Sequence, residues 1–263
     1  MNSFLILLAA LVTEKVGSSD TSSETCAFLK VFDGNDKESR IVNGNPAALG
    51  QFPYFAAVTI NAYFCGGSII HPRWILTAAH CAVLGNEFYV RVGAVTLSSG
   101  TTYYSNVKYV HQEFNYQTLA NDIALLYLSS DLVFTDYVKA VGLPSIEESN
   151  QFEDYQAYVV GHGKQFDTTS LSKDLMYASA SVISSDDCAL YFGDYITSST
   201  LCAVGLSGEN TCTGDSGGPV VSDNKLIGVI SFVAAGGCEA HYPFGNTRVT
   251  SHRQWISNVT GVV

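Results

Sequence analysis

From about residue 50 onward, short apolar runs alternate with clusters of glycine, serine, asparagine and aspartate. That turn-punctuated pattern predicts strands rather than helices. The first half offers Tyr54 to Ile60, Tyr63 to Ile70, Phe88 to Val92, Tyr103 to Val110 and Ile123 to Leu128. The second offers Gln156 to Val160, Leu175 to Val182, Leu201 to Val204, Pro219 to Val221, Lys225 to Phe232 and Thr247 to Thr250. Between them, Val141 to Gln156 is polar, acidic and rich in turn formers, which predicts a crossover between two β subdomains at about 41–145 and 146–250. Helical periodicity appears only near the end, where Ser251 is expected to cap a segment carrying Trp255, Ile256 and Val259 on one side.

The start of the chain follows a different pattern. Phe4 to Val12 is one apolar run, the length of a secretory leader's core and too short to span a bilayer as a helix. A leader over residues 1–18 is expected, with a buried N-terminal strand as the alternative. No later run is long enough to cross a membrane. Residues 19–40 are rich in serine, threonine and acids, with little to bury, which predicts an activation segment. It ends at Lys37-Glu38-Ser39-Arg40 before Ile41-Val42-Asn43-Gly44, a basic residue followed by an apolar one. The remaining 41–263 suits a single domain.

Candidate chemistry centres on Cys212-Thr213-Gly214-Asp215-Ser216-Gly217-Gly218-Pro219, which combines a nucleophile, an anion-binding nest and a carboxylate. Serine is a weak nucleophile without a base and an oriented acid elsewhere in the chain. His80, in Thr77-Ala78-Ala79-His80-Cys81, and Asp122, in Asp122-Ile123-Ala124-Leu125-Leu126, supply both. The order His, Asp, Ser differs from the Ser, acid, His of an α/β-hydrolase, although Gly214-x-Ser216-x-Gly218 also fits that fold's nucleophile turn. Pro219 and the strand-like residues after it argue against the helix a hydrolase needs there.

Together these segments resemble the trypsin/chymotrypsin-like serine endopeptidases from Ile41 to Ile256. The tail Ser231 to Ala240 is similar to the arthropod brachyurin-like group, the crab collagenases and related digestive enzymes. The resemblance implies an all-β, chymotrypsin-like fold of two six-stranded antiparallel barrels packed together with a C-terminal helix. It implies catalysis by His80, Asp122 and Ser216, an oxyanion hole of the Gly214 and Ser216 N–H groups, and no cofactor. Cleavage between Arg40 and Ile41 would free an ammonium to pair with Asp215, because a carboxylate turned into an apolar interior needs a charge partner. An ordinary exposed linker is the alternative reading of Arg40. The implied disulfides are Cys65 with Cys81, Cys188 with Cys202 and Cys212 with Cys238, leaving Cys26 over. A cytosolic metal site is disfavoured, because the cysteines are widely spaced without a Cys-x-x-Cys. Implied partners are protein or peptide substrates, an activating trypsin-like protease and macromolecular protease inhibitors, acting on a secreted monomer.

Charge narrows the field further. The chain carries 13 basic and 24 acidic side chains. Four basic and six acidic groups fall in the first 40 residues, so the catalytic part is acidic in its own right. With no basic patch, nucleic-acid binding would lack its main attractive term. No carboxylate lies between Gly93 and Tyr103, the loop where calcium is held in some of the resembled enzymes, so no metal is expected there. Asn258-Val259-Thr260 is a glycosylation acceptor sequence. His71 reads as a turn residue, and His111, His241 and His252 sit in no metal-spaced cluster. His162, between Gly161 and Gly163, replaces the tryptophan usual in the family and is expected to pack, with its protonation making that packing pH-sensitive.

Specificity is read from the pocket walls that the resemblance assigns. Asn210 stands where trypsin-like enzymes place an aspartate, so lysine or arginine selectivity is disfavoured, and adjacent Glu209 is expected to point elsewhere. Ser231, Phe232 and Val233 should line the substrate strand. Val233 at the mouth and Phe244 at the back should shorten the pocket in the manner of elastases; the alternative is that both pack outward and leave it open. The function expected is a secreted zymogen of a serine endopeptidase that digests extracellular or dietary protein after small or modest apolar residues. The alternatives are a broad chymotrypsin- or collagenase-like endopeptidase, and a non-catalytic protease-like binding or regulatory protein.

Overall fold

The structure, a computed structural model, describes residues 6–8, 44–164 and 166–263. The expected leader apart from 6–8, the activation segment with Cys26, and the Arg40–Ile41 bond lie outside the described residues. In chain order the elements are β1 (Ile6–Leu8), β2 (Asn45–Pro46), β3 (Phe55–Ile60), β4 (Tyr63–His71), β5 (Trp74–Thr77), α1 (Ala79–Ala82), β6 (Phe88–Val92), β7 (Thr101–Ser105), β8 (Val107–Val110) and β9 (Ala124–Tyr127). After the crossover come β10 (Gln156–Gly161), β11 (Met176–Ile183), α2 (Ser185–Phe192), β12 (Thr200–Gly205), β13 (Pro219–Ser222), β14 (Lys225–Ala234), β15 (Phe244–Arg248) and α3 (Arg253–Thr260).

In the second half, β14, β13, β10, β11, β12 and β15 pair in that order, and β15 pairs back onto β14. This sheet is a closed six-stranded barrel, with β2 attached to β11 and the backbone of β1 running antiparallel along β14. The first half does not match the expected second barrel of six. Its order is β7-β6-β3-β4-β5-β9-β8, seven strands in an open, curled sheet. The reason lies at Asn106, where the predicted run Tyr103 to Val110 bends into two strands. Pieces joined by one residue cannot fold back to pair, because a hairpin needs a turn of at least two. The bend is tied down by the Ser105 hydroxyl, which donates to the Tyr127 carbonyl at 2.7 Å.

Each half has its own apolar interior, and the first is shared. Val58, Ile60, Ile75, Leu76, Phe88 and Leu125 cluster with Val229, Val249 and Ile256 from the far end of the chain. Ile256 is the buried residue of α3's apolar side, with Trp255 and Val259 packed beside it, as the periodicity predicts. Ser251 does not cap that helix. A 3₁₀ turn over Thr250–His252 precedes it, and Ser251 Oγ donates instead to Ser198 O at 3.1 Å. β5 and α2 are among the elements that escaped the pattern, with the short β2 and α1. All four residues of β5 are buried, so they show no alternation, and α2 buries only Cys188 and Phe192, too thin a stripe to read as a helix.

The halves meet at glycines. The Gly66 N–H on β4 donates to the Ser216 carbonyl at 2.7 Å. A Cβ on Gly66 would lie 2.6 Å from Gly218 Cα and 2.8 Å from its nitrogen, backbone atoms that cannot swing aside. A Cβ on Gly217, at φ +79°, would fall on Thr77 Oγ1 and the Gly66 carbonyl more closely still. Gly66→Ala should therefore cost about 1–3 kcal/mol through overpacking. Denaturant unfolding reads this directly, and an unchanged midpoint would contradict the close approach of the two halves.

Candidate active site

His80 sits in the first turn of α1, where N–H groups have no helical partner and are free to bind an anion. Its backbone N–H donates to Asp122 Oδ1 at 2.8 Å, and its ring Nδ1 lies 2.6 Å from Asp122 Oδ2. Both side chains are almost fully buried. With Nδ1–H given to the carboxylate, Nε2 is the nitrogen left with a lone pair, which is the tautomer a general base requires. Asp122 also accepts from the Ser231 hydroxyl at 2.6 Å, and its carbonyl accepts from Thr247 Oγ1 at 2.7 Å. Four donors from both halves thus satisfy one buried acidic residue.

Ser231 reaches Asp122 because of a bulge. Along β14 and β15, Ile230 pairs with Asn246 and Phe232 with Gly245, so Ser231 is left without a ladder partner and its side chain is re-aimed. Sequence reasoning placed Ser231 in the substrate pocket and overlooked both this role and that of Thr247. No spacing rule marks a bulge, since its register depends on the partner strand.

The nucleophile loop is held from several sides. Asp215 N–H donates to Cys212 O, Gly218 N–H to Asp215 O, and Gly217 N–H to Ile230 O. Cys212 is joined to Cys238, Cys65 to Cys81 and Cys188 to Cys202, the pairings the resemblance implied. The Cys81 sulfur touches His80 Nε2 at 3.6 Å and Ser216 O at 3.7 Å, so the expected base and nucleophile lie against one disulfide. Ser216 Oγ is buried and bonds to no described group. The structure therefore joins His80 to Asp122 directly and sets Ser216 beside them without a serine-to-histidine hydrogen bond. Gly214 has φ +101°, a conformation that glycine alone adopts without strain.

Of the residues expected to line the pocket, Asn210 is buried and donates Nδ2 to Tyr242 O at 3.2 Å, leaving Oδ1 without a partner. Glu209 turns back to accept from Ser207 N–H, as expected. Val233 and Phe244 face each other across β14 and β15, both buried in the second half's apolar cluster. Phe232 turns to the opposite side, edge-on to Phe192 at 5.2 Å. Asp167 approaches Cys212 and Cys238, but sulfurs committed to a disulfide offer no thiolate to a metal.

Two buried titratable groups flank the nucleophile loop. The Asp215 carboxylate accepts from Gly163 N–H at 2.8 Å and Cys212 N–H at 2.9 Å, with no cation on it among the described residues. Burial raises its pKa from 3.8 to about 7, against the lowering effect of those two bonds. His162 packs against Phe55 and Phe64 and lies 3.1 Å from Ser172 O through Nδ1. Burial lowers its pKa from 6.5 to about 4, outweighing the backbone bonds that raise it.

The trypsin family's sequence profile matches residues 41–256. A collagenase of Hypoderma lineatum is 40% identical over 237 residues, covering 86% of this chain and 90% of its own length. Brachyurin of Leptuca pugilator is 36% identical over 228 residues, covering 84% of this chain and 99% of itself. A solved HL collagenase structure superposes with a TM-score of 0.79 at 38% identity, covering 85% of this chain and 100% of that one.

The two flanking groups oppose each other in pH. Asp215, raised in the folded state, stabilises below pH 3.8 and loses that contribution as pH climbs through about 7. His162, lowered, stabilises above pH 6.5 and loses its contribution as pH falls through about 4. Each shift is worth on the order of 3–4 kcal/mol. In the uncleaved chain, Asp215→Asn should make stability climb more steeply between pH 4 and 7 than in wild type, and His162→Phe should do the reverse. Urea titrations across that range decide it; parallel curves for all three proteins would show that neither group is buried as described.

Proposed function

The chain belongs to the trypsin family of serine endopeptidases, and from that premise we propose that it is a secreted digestive enzyme, made as a zymogen, that cleaves after small or modest apolar residues. The observation that carries the chemistry is the short His80–Asp122 contact beside Ser216. Ser216 Oγ attacks the scissile carbonyl while His80 Nε2 takes its proton, and the carbonyl oxygen becomes an oxyanion facing the N–H groups of Gly214 and Ser216. The tetrahedral adduct collapses as His80 returns the proton to the departing amine. Water then enters, gives its proton to His80 and releases the acid by the same route. Asp122 keeps the imidazole oriented and stabilises its charged form.

The specificity reading rests on the cross-strand pair Val233 and Phe244 and on the uncharged Asn210. An apolar pocket rejects oversized groups more strongly than it separates neighbours differing by one methylene, so weak discrimination among Ala, Val and Leu follows. The stretch of β14 beyond its pairing with β13, where the backbone of residues 6–8 runs antiparallel along Phe232 to Ala234, offers the main-chain bonds that an extended substrate would take in its place. A second reading, broad collagenase-like cleavage, is favoured by the likeness to proteins named collagenase and brachyurin. Zymogen control rests on Asp215, a buried carboxylate lacking a cation among the described residues, with the Ile41 ammonium proposed as its partner and a separate trypsin-like protease as activator.

Profiling the activated enzyme on a peptide library should give an optimum at small apolar P1 residues. Val233→Gly and Phe244→Gly should raise turnover of Phe and Tyr substrates by about tenfold or more. A wild-type optimum at Phe, Tyr, Lys or Arg would show those walls to be misplaced.

Wild-type protein cut by trypsin after Arg40 should be labelled at Ser216 by a fluorophosphonate, while Arg40→Gln treated alike should stay unlabelled. No labelling of the cleaved wild type would sink the catalytic assignment. Full activity of uncleaved Arg40→Gln would sink zymogen control alone.

A further inference from the structure

Asp122 is gripped by the groups already described, yet the residue before it is held just as firmly. Asn121 has φ +54°, a left-handed conformation that Asn tolerates better than most residues. Ile123 N–H bonds back to its carbonyl at 2.8 Å, bending the chain tightly around Asp122. Its side chain is anchored at both ends: Nδ2 donates to Glu113 O at 3.2 Å, and Oδ1 faces His252 Nε2 at 3.0 Å. The donation to Glu113 O fixes the amide with oxygen toward the imidazole, so Nε2 is the donor in that contact.

His252 is itself immobile. It is buried at the turn before α3, its Nδ1 lies 2.8 Å from Arg248 O, and its ring meets His111 edge-on at 5.1 Å. Arg248 ends β15, one residue after Thr247, whose hydroxyl already holds the Asp122 carbonyl. The second half thus sends two fixed donors from nearby positions, Thr247 on β15 to Asp122 and His252 in the turn that follows it to Asn121.

Resting on the endopeptidase reading above, we propose that His252 is a positioning residue for Asp122, acting through the Asn121 amide to fix the left-handed turn that aims the carboxylate at His80. Both ring nitrogens face acceptors, and only the imidazolium serves both at once. Burial first, and His111 beside it, press the ring toward the neutral form, while the Arg248 carbonyl and Glu113 favour the charged one. The Nε2 contact is the longer of the two and is the one that transmits to the active site.

A conservative donor exists for the test, because glutamine reaches through the same number of bonds to an Nε2–H. His252→Phe, which removes the donor, should lower kcat by about tenfold with KM little changed, while His252→Gln stays within about threefold of wild type. Asn121→Gly retains access to the left-handed φ while deleting the amide, and should match the His252→Phe loss. The double variant should lose no more than either single one, since both break the same link. The low-field proton resonance of the His80 Nδ1–Asp122 bond should shift in His252→Phe and Asn121→Gly and return in His252→Gln. Should His252→Phe fail to fold, Asn121→Gly and the glutamine variant still carry the comparison. Unchanged kcat in Asn121→Gly, multiplicative losses in the double variant, or an unmoved resonance would each overturn the proposal. The resonance reads the His80–Asp122 geometry even if wild type has no peptidase turnover, so a failure of this link and a failure of the endopeptidase reading look different.

Discussion

A fully buried carboxylate at Asp122 is the constraint around which the two halves are arranged. An ionised acid removed from water is tolerated only when its oxygens are satisfied. The first half alone supplies the His80 backbone and ring. The remaining carboxylate donor, Ser231, and Thr247, which holds the residue's backbone carbonyl, stand on strands of the second barrel. Asp122 is therefore properly housed only when the halves are in register, and the geometry that satisfies it is the same geometry that orients the imidazole.

Much of this arrangement can be read from the residues. Alternating apolar runs mark the strands, the His, Asp, Ser order separates this site from a hydrolase elbow, and Trp255, Ile256 and Val259 foretell the buried side of α3. What could not be read depends on partners distant in sequence. Ser231 looks like any strand residue until β15 slips past it by one position. Tyr103 to Val110 is one apolar-rich run, and only the Ser105 hydroxyl bonded to Tyr127 reveals the bend that leaves the first sheet open. Ser251 has the chemistry of a helix cap but is claimed by Ser198 O instead.

The glycines of the nucleophile loop show how the same closeness serves packing and chemistry. Gly66, Gly217 and Gly218 allow backbone to lie directly on backbone, so the Ser216 carbonyl is anchored by the first half while its side chain stays unbonded. Gly161 and Gly163 do the same around Asp215, where an added Cβ would fall on the carboxylate itself. A side chain at either position would displace that carboxylate, so the two glycines are what let an acid be buried there.

The three disulfides close rings within one half or the other: Cys65–Cys81 in the first, Cys188–Cys202 and Cys212–Cys238 in the second. Among the described residues no covalent bond other than the chain's own crossover spans the cleft. Heat or denaturant can then pull the halves apart, drawing Val249 and Ile256 out of the first half's interior, while each half keeps its staples. Loss of catalysis would in that case be a dislocation, reversible on cooling, that precedes any melting of β structure.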